Sequence, residues 1–434
     1  MMTMIQKLLR ILAVRTMRAY KPKVIGITGS VGKTSTRHAI AAAIGDARSI
    51  RVAEGNYNNE MGLPLTILGE QAQGSSIFGW MGVLWRGFVL SLGAKDDYPK
   101  WLVLEYGADK KGDIVYLTNI ARPYIAVITA IGIAHTEFFG TIDDVKEEKG
   151  ALVRALPEDG IAILNADDEN VFAMRHMVKG AHVMYGFSTS ANVSANNVTV
   201  DTKHDGDIDP TEVVAKLRFE LSAGDDSVMV SMDNVLGDAH VSAILAGAAV
   251  ALQLGIELDV IAKNLKSYVP MPGRMRLLGG IKHSLLLDDS YNASPQSVHA
   301  ALEALGSFPL TGTARRIAIV GDMLELGRYS EKAHIEVGQH VASLPIDLLV
   351  TVGELSRDIA RGALAAGMDQ ANVFTYAASP DAGRFVQKRM GKGDVILVKG
   401  SQSIRTEKIV KELMAEPLKA QEYLVRQNEE WLKK

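Results

Sequence analysis

Two periodicities alternate along the chain. Short β-branched apolar runs, "KVIGITG", "WLVLEYGA", "YIAVITAIG" and "GIAILNAD", each close on glycine or small polar residues and are separated by stretches with helical spacing. This pattern predicts a mostly parallel α/β sheet whose strands run into functional loops. From about Ser188 to Asp233 the pattern shifts to polar–apolar alternation ("NVSANNVTVDTKHDGD", "AKLRFELSAGDDSVMVSM"), which predicts antiparallel strands added to the same sheet. A helix over 239–254 and a second one lead to "YVPMPGRM", where Pro270 and Pro272 mark a domain boundary. Beyond it "SLLLDDSYNASP", "RRIAIVGDMLELG", "DLLVTVGE", "NVFTYA" and "DVILVKGS" supply the strands of a second, Rossmann-like unit. The expected organisation is an N-terminal basic amphipathic helix (1–21), a central phosphate-loop domain (22–272) and a C-terminal α/β domain (273–434). The charged tail from Arg426 to Lys434 reads as a frayed helix.

Composition narrows the picture. With 47% apolar and 22% charged residues in 434, the chain has the make-up of a soluble globular protein with material for two or three cores. A net charge of −3 argues against nucleic acid as a general partner. The absence of cysteine excludes disulfides, thiolate metal sites and a cysteine nucleophile. No long apolar core followed by a small-residue cleavage site opens the chain, so the expected address is the cytoplasm.

Charge is unevenly spread. Lys7, Arg10, Arg15, Arg18, Lys21, Lys23, Lys33 and Arg37 precede the first acid, Asp46. On a helical wheel Ile5, Leu8, Leu9 and Leu12 share one side, with Lys7, Arg10, Arg15 and Arg18 on the other. Ser75 to Gly93 is almost wholly apolar, with Arg86 its one charge. Two readings stand. One is a buried helix beside a solvated basic one. The other is peripheral contact with the inner face of a membrane through residues 1–20 and 75–93, a basic amphipathic helix beside an aromatic-rich apolar hairpin.

The strongest local chemistry is "VIGITGSVGKTSTRHAI" (24–40). Strand, glycine turn and helix start put backbone N–H groups around an anion, so Gly29, Ser30, Gly32, Lys33, Thr34 and Ser35 are candidate nucleotide-phosphate ligands. Lys33 offers charge to the β- and γ-phosphates and the Thr34 hydroxyl can join a magnesium ion. The long form G-x-x-x-x-G-K-[ST] fails because Ile27 stands where its first glycine would be. Phosphoryl transfer also needs oxygen or nitrogen ligands for metal near strand ends, and Glu105 and His135 occupy two such exits. Each alone has an ordinary alternative, a surface carboxylate or a structural histidine.

"TGSVGKTST", "EGNYNNEMGLPLT", "LEYGADKKGDI", "AHTEFFGTIDDVKEEKGALV", "LNADD", "PGRM", "LDDSYNASPQS", "GDMLELG" and "VKGSQS" follow one another in this order. Over about residues 22–415 the chain thereby resembles the Mur ligases, most closely the branch that adds D-alanyl-D-alanine to the cell-wall precursor. The resemblance implies a fold of P-loop central domain plus Rossmann-like C-terminal domain. It implies ATP-dependent amide formation through an acyl phosphate, with two magnesium ions. Lys33 and Thr34 match the loop's phosphate and magnesium residues, Glu105 a magnesium ligand, and His135 the second-metal histidine. Lys149 matches the lysine that the family carbamylates. Arg274 and Asp289 match contacts to ATP phosphate and ribose, and Asn292 lies in the segment facing the nucleotide. The implied partners are ATP, a UDP-muramoyl peptide or a lipid-linked acceptor, and D-alanyl-D-alanine.

Two departures from the family pattern matter. His240 and Ala243 stand where the family has two asparagines, one of them an expected nucleotide contact. Only about twenty residues precede the first strand, too few for the family's UDP-binding domain. Two other functions compete with this one. A folylpolyglutamate-synthase-like ligase also lacks that domain, but "DDSYNASP" and "GDMLELG" favour the cell-wall branch. A membrane-peripheral protein that binds or hydrolyses ATP without ligation would have no use for Glu105, His135 and Lys149 together.

Overall fold

The computed structural model describes residues 2–53, 55, 57–93, 97–133, 136–202 and 214–432. Its first sheet contains β1 (Lys23–Thr28), β2 (Ile50–Val52), β3 (Trp101–Glu105), β4 (Ile125–Ile128), β5 (Ile161–Asn165), β6 (Ala181–Gly186), β7 (Val193–Thr202), β8 (Ala215–Ala223) and β9 (Asp226–Asp233), in the spatial order β2-β3-β1-β4-β5-β6-β7-β8-β9. The pairs from β2 to β7 are parallel, while β7–β8 and β8–β9 are antiparallel, as the change in periodicity predicted. The three-residue β2 and the six-residue β6 escaped the sequence reading.

The inner strands read as unbroken apolar runs because both sheet faces are covered. One face carries Leu102, Leu104, Ala126 and Ile128. The other packs Ile25, Ile27 and Val127 under the helices Lys33–Ile44 and Asp238–Gln253. Each such leucine or isoleucine contributes roughly 1.5–3 kcal/mol by leaving water.

The second sheet has β10 (Arg276–Gly280), β11 (Ser284–Asp289), β12 (Arg316–Gly321), β13 (Leu348–Val352), β14 (Val373–Tyr376) and β15 (Val395–Lys399), ordered β10-β11-β15-β12-β13-β14. All its pairs are parallel except β10–β11. The register sets Asp289 beside Lys399 at the carboxyl ends of neighbouring strands, where α/β sheets place ligands.

Three terminal and peripheral features differ from expectation. The helix Met2–Tyr20 packs against the helices Gly62–Leu68 and Ile77–Ser91 through Ile5, Leu9, Leu12 and Ala13, while Leu8 faces solvent. The apolar stretch after Ser75 is one helix, Ile77–Ser91, rather than a hairpin, and only its side with Trp80, Val83, Gly87 and Leu90 is buried. Among the described residues no helix is long and apolar enough to cross a membrane. The tail is anchored rather than frayed. Arg426 pairs with buried Glu407 at 2.9 Å and donates to the carbonyls of Ser290 and Tyr291, ahead of a short helix Glu429–Leu432.

Candidate active site

β1 ends at Thr28, and the chain turns through Gly29–Gly32 into the helix Lys33–Ile44. A Cβ on Gly29 would lie 2.0 Å from Thr129 Oγ1, and Gly32 sits in the left-handed region at φ 84°, so the turn needs both glycines. The Ser30 amide donates to the Ala130 carbonyl at 2.8 Å and Thr129 Oγ1 to the Val31 carbonyl at 2.5 Å, pinning the loop to the end of β4. The N-terminal amides of the helix then face the space above the sheet, as an anion site requires. Lys33 folds back over this loop, its Nζ donating to the Gly29 carbonyl at 2.6 Å. Burial pushes its pKa below the usual lysine value, Glu105 opposes that shift and Arg274 adds to it.

Glu105 closes β3 and is fully buried, not the surface carboxylate its position also allowed. Arg37 Nη1 lies 3.1 Å from its Oε1, and Thr34 Oγ1 approaches Oε2 at 3.5 Å. Arg37 is one helical turn beyond Lys33, so both reach the same side of the helix. It also donates to the Gly55 carbonyl at 2.5 Å. The Arg37–Glu105 contact is ionic but poorly directed, so Glu105 Oε1 and Arg37 Nε have no hydrogen-bond partner among the described residues. A buried carboxylate oxygen in that condition is suited to a cation that arrives with the ligand.

Lys149 lies on the helix Ile142–Arg154, whose N-terminus is capped by Thr141. The sequence alone would make it a solvated helix lysine, yet only 2% of it is exposed. Burial, and then the charge of Lys33, bring its pKa down to about 7, against the pull of Glu148, Asp109 and Asp113. Its neighbour Glu148 accepts from the amides of Gly112 and Ile114, each at 2.7 Å, which locks the 107–113 loop beside it.

The opposite side comes from the second sheet. Lys399 Nζ donates to Asp289 Oδ2 at 2.5 Å and to the Asn292 carbonyl at 3.0 Å. Asp289 Oδ1 accepts from the Met275 amide, and the Arg274 guanidinium stacks 3.9 Å from the centre of the Tyr291 ring. Asp288, raised to about 6 by burial, accepts from the Gly273 amide and so ties the proline linker to β11. His240 is fully enclosed, with Nδ1 2.6 Å from the Tyr268 hydroxyl and Nε2 3.0 Å from the Arg274 carbonyl.

A single cleft of about 1350 Å³ between the sheets is lined by Ser30, Gly32, Lys33, Thr34, Ser35, Glu105 and Lys149 on one side and by Arg274, Asp289 and Asn292 on the other. Gly29 shapes the turn beneath it. His135 lies outside the described residues. Sequence reasoning missed Arg37, Lys399, Tyr291 and Trp431, the last three of which line the cleft. Lys399 sat in the quoted "VKGSQS" and Arg37 one turn after Lys33, so both had a signal; Trp431 had none.

A phosphate loop, a buried carboxylate and a buried lysine, facing a second α/β unit across one cleft, define a two-domain nucleotide-binding α/β protein. The Mur ligase middle domain matches residues 27–78 and 89–251, and the Mur ligase, glutamate ligase domain matches residues 273–402. The chain belongs to the Mur ligase family. It is 31% identical to the UDP-N-acetylmuramoyl-tripeptide–D-alanyl-D-alanine ligase of Escherichia coli over 90% of this chain and 76% of that protein. It is 30% identical to the Bacillus subtilis enzyme of the same name, over 91% of this chain and 77% of that one. Among solved structures, the MurF ligase of Thermotoga maritima in complex with ADP superposes with a TM-score of 0.75 at 26% identity, covering 94% of this chain and 83% of that one.

Proposed function

We propose that this chain is an ATP-dependent peptide ligase that joins D-alanyl-D-alanine to the terminal carboxylate of a UDP-N-acetylmuramoyl-tripeptide. The observation that carries this reading is the shared cleft, where Lys33, Thr34, Glu105 and Lys149 face Arg274, Asp289 and Lys399. The Escherichia coli and Bacillus subtilis relatives, of which this chain covers 76% and 77%, support the substrate assignment. A lipid-linked acceptor is the other form such a carboxylate could take.

In the reaction a carboxylate oxygen attacks the γ-phosphorus of ATP, and the bond to the β–γ bridging oxygen breaks to release ADP. The dipeptide amine then attacks the acyl phosphate carbon, phosphate leaves with the electron pair, and the amine loses its proton. Lys33 and the helix amides hold the phosphates and offset the charge that gathers on the transferred group. Arg274, stacked on Tyr291, extends that positive field from the second domain. Asp289, held by Lys399, offers acceptor oxygens to a ribose, and Asn292 lines the cleft beside it.

The donor set fits magnesium at one position. Thr34 and Glu105 put a hydroxyl and an under-bonded buried carboxylate together, which is hard-cation chemistry. Among the described residues no cluster of three or more His, Asp or Glu side chains forms a metal cage on its own, so substrate phosphates would complete the shell. Bound magnesium would supply Lewis-acid neutralisation of the phosphate oxygens. Lys149 fits carbamylation because its amine is half neutral near pH 7. Attack of that amine on carbon dioxide, with loss of one proton, gives a carboxylate-like anion for a second magnesium, to which His135 would be the remaining ligand. The test is phosphate release from ATP with bicarbonate present. Release that needs both UDP-muramoyl-tripeptide and D-alanyl-D-alanine is expected, and turnover indifferent to either one overturns the reading.

A further inference from the structure

The family match stops at residue 78 and resumes at 89, and that break falls inside the helix Ile77–Ser91. The helix Met2–Tyr20 lies ahead of the match. These two helices pack against each other and against one core, yet each turns a second apolar side to solvent. On Ile77–Ser91 the inward stripe is Trp80, Val83, Gly87 and Leu90. The outward stripe has the same three-and-four spacing: Phe78 (85% exposed), Met81, Trp85 (67% exposed), Phe88 and, just past the helix, Leu92. On Met2–Tyr20 the outward stripe begins with Met4, Leu8 and Ile11 and continues as Arg15 and Arg18. A helix apolar on all sides is normally covered on all sides, and this one is covered on half.

Charge indicates what covers the rest. Residues 1–45 contain no acid, and the outward face of the first helix is bordered by exposed Lys7, Arg10, Arg15 and Arg18. The single cation of the second helix, Arg86, is already engaged by both oxygens of Glu70 at 2.6 Å. A second copy laid on this face would bring its cations against these. Aromatic and aliphatic side chains rimmed by cations are complementary to the headgroup layer of an anionic bilayer. The first helix also reaches the active site, since Arg10 stacks 4.8 Å from the centre of the Tyr116 ring and Tyr116 lines the cleft.

We propose that the outward faces of Met2–Tyr20 and Ile77–Ser91 form one interfacial surface that seats this enzyme on an anionic lipid bilayer with the cleft rim beside it. The experiment is co-sedimentation of the full chain with phosphatidylcholine vesicles, with and without phosphatidylglycerol, at low and high salt. Salt-sensitive binding to the anionic vesicles is expected. Arg15→Gln with Arg18→Gln should weaken it about 25-fold, at about a factor of five per cation near the surface. Phe78→Ser with Trp85→Ser should weaken it about tenfold or more through lost apolar burial, while ADP binding and circular dichroism stay as in the parent chain. Absence of binding at low salt overturns the proposal, as does equal binding to neutral and anionic vesicles. A concentration-dependent dimer dispersed by Phe78→Ser with Trp85→Ser would assign the face to a second copy instead and overturn it equally.

Discussion

On the central-sheet side of the cleft, burial and then the charge of Lys33 lower the pKa of Lys149, and Glu105 shares one poorly directed contact with Arg37. On the C-terminal side, Lys399 has Asp289 at 2.5 Å and Arg426 has Glu407 at 2.9 Å, so buried cations meet buried or half-buried anions. The first side keeps unspent electrostatic capacity, while on the second these pairs are neutralised and Arg274, its Nε buried without a partner among the described residues, is the exception. Groups left under-paired in a water-poor cleft act on charge that arrives or develops there, whereas internally paired groups fix position. The central side should therefore carry the chemistry and the C-terminal side the placement of nucleotide and incoming amine.

The sharpest way to break that division is Lys149→Ala. Losing the amine proposed to carry the carbamate should lower turnover about 10³-fold, the scale for one preorganised charge at a reacting centre. Short carboxylates added to the variant should restore part of it, because they can lie where the carbamate would. Unchanged turnover in phosphate-release assays would place the chemistry elsewhere. Next in size is Arg37→Met. It leaves Glu105 buried without its ion pair, a loss on the order of 3 kcal/mol in denaturant unfolding without magnesium. Magnesium with ADP should recover much of that loss by binding the folded state. An equal deficit with and without magnesium would mean that Glu105 does not face the metal.

A third test reads the pH axis. The Lys149 amine takes up a proton as pH falls through about 7, and only its neutral form reacts with carbon dioxide. Turnover at a fixed, sub-saturating concentration of dissolved carbon dioxide should be flat above about pH 8 and fall roughly fivefold between pH 7 and 6, in step with the neutral fraction. Lys149→Ala rescued by a carboxylate should lack this acid-side fall. If the rescued variant kept it, the titrating group would be another residue.

The same contrast explains how much was legible in the sequence. Strands buried on both faces announce themselves as apolar runs, so β1, β3, β4 and β5 and the five strands β11–β15 were visible, and the alternating β7–β9 declared their partial exposure. Three-residue β2 left too short a run to read. On the central side, function rests on one contiguous loop and on strand ends, which spacing can flag. Burial cannot be read that way: Lys149 looked solvated because its helix is strongly charged, and its enclosure is a property of the packing around that helix. On the C-terminal side the working pairs are 110 residues apart for Asp289 and Lys399 and 19 for Glu407 and Arg426, so no local pattern could join them. The outer helices were legible as apolar and basic, but which half of each faces solvent is a property of their packing.

The smallest expected effect tests the seam between the two sides. His240 stands where the family resemblance has asparagine, and burial keeps it neutral by pushing its pKa down. The Arg274 carbonyl can only accept, so Nε2 carries the hydrogen and Nδ1 accepts from the Tyr268 hydroxyl. The Ser35 side chain, at the start of the phosphate-loop helix, lies beside the Tyr268 hydroxyl and lowers its pKa against burial. The histidine thus links that loop to the backbone of Arg274, the cation that reaches in from the second domain. His240→Asn retains a donor and an acceptor on a shorter side chain and should keep one of the two bonds. About 1 kcal/mol is then lost, which is roughly a fivefold rise in the KM for ATP with turnover nearly unchanged. His240→Ala strands both partners and should raise KM further while still sparing the chemical step. A fall in turnover at constant KM would instead make His240 part of the central side's chemistry. The boundary between placing and reacting groups would then run through this residue rather than along the cleft.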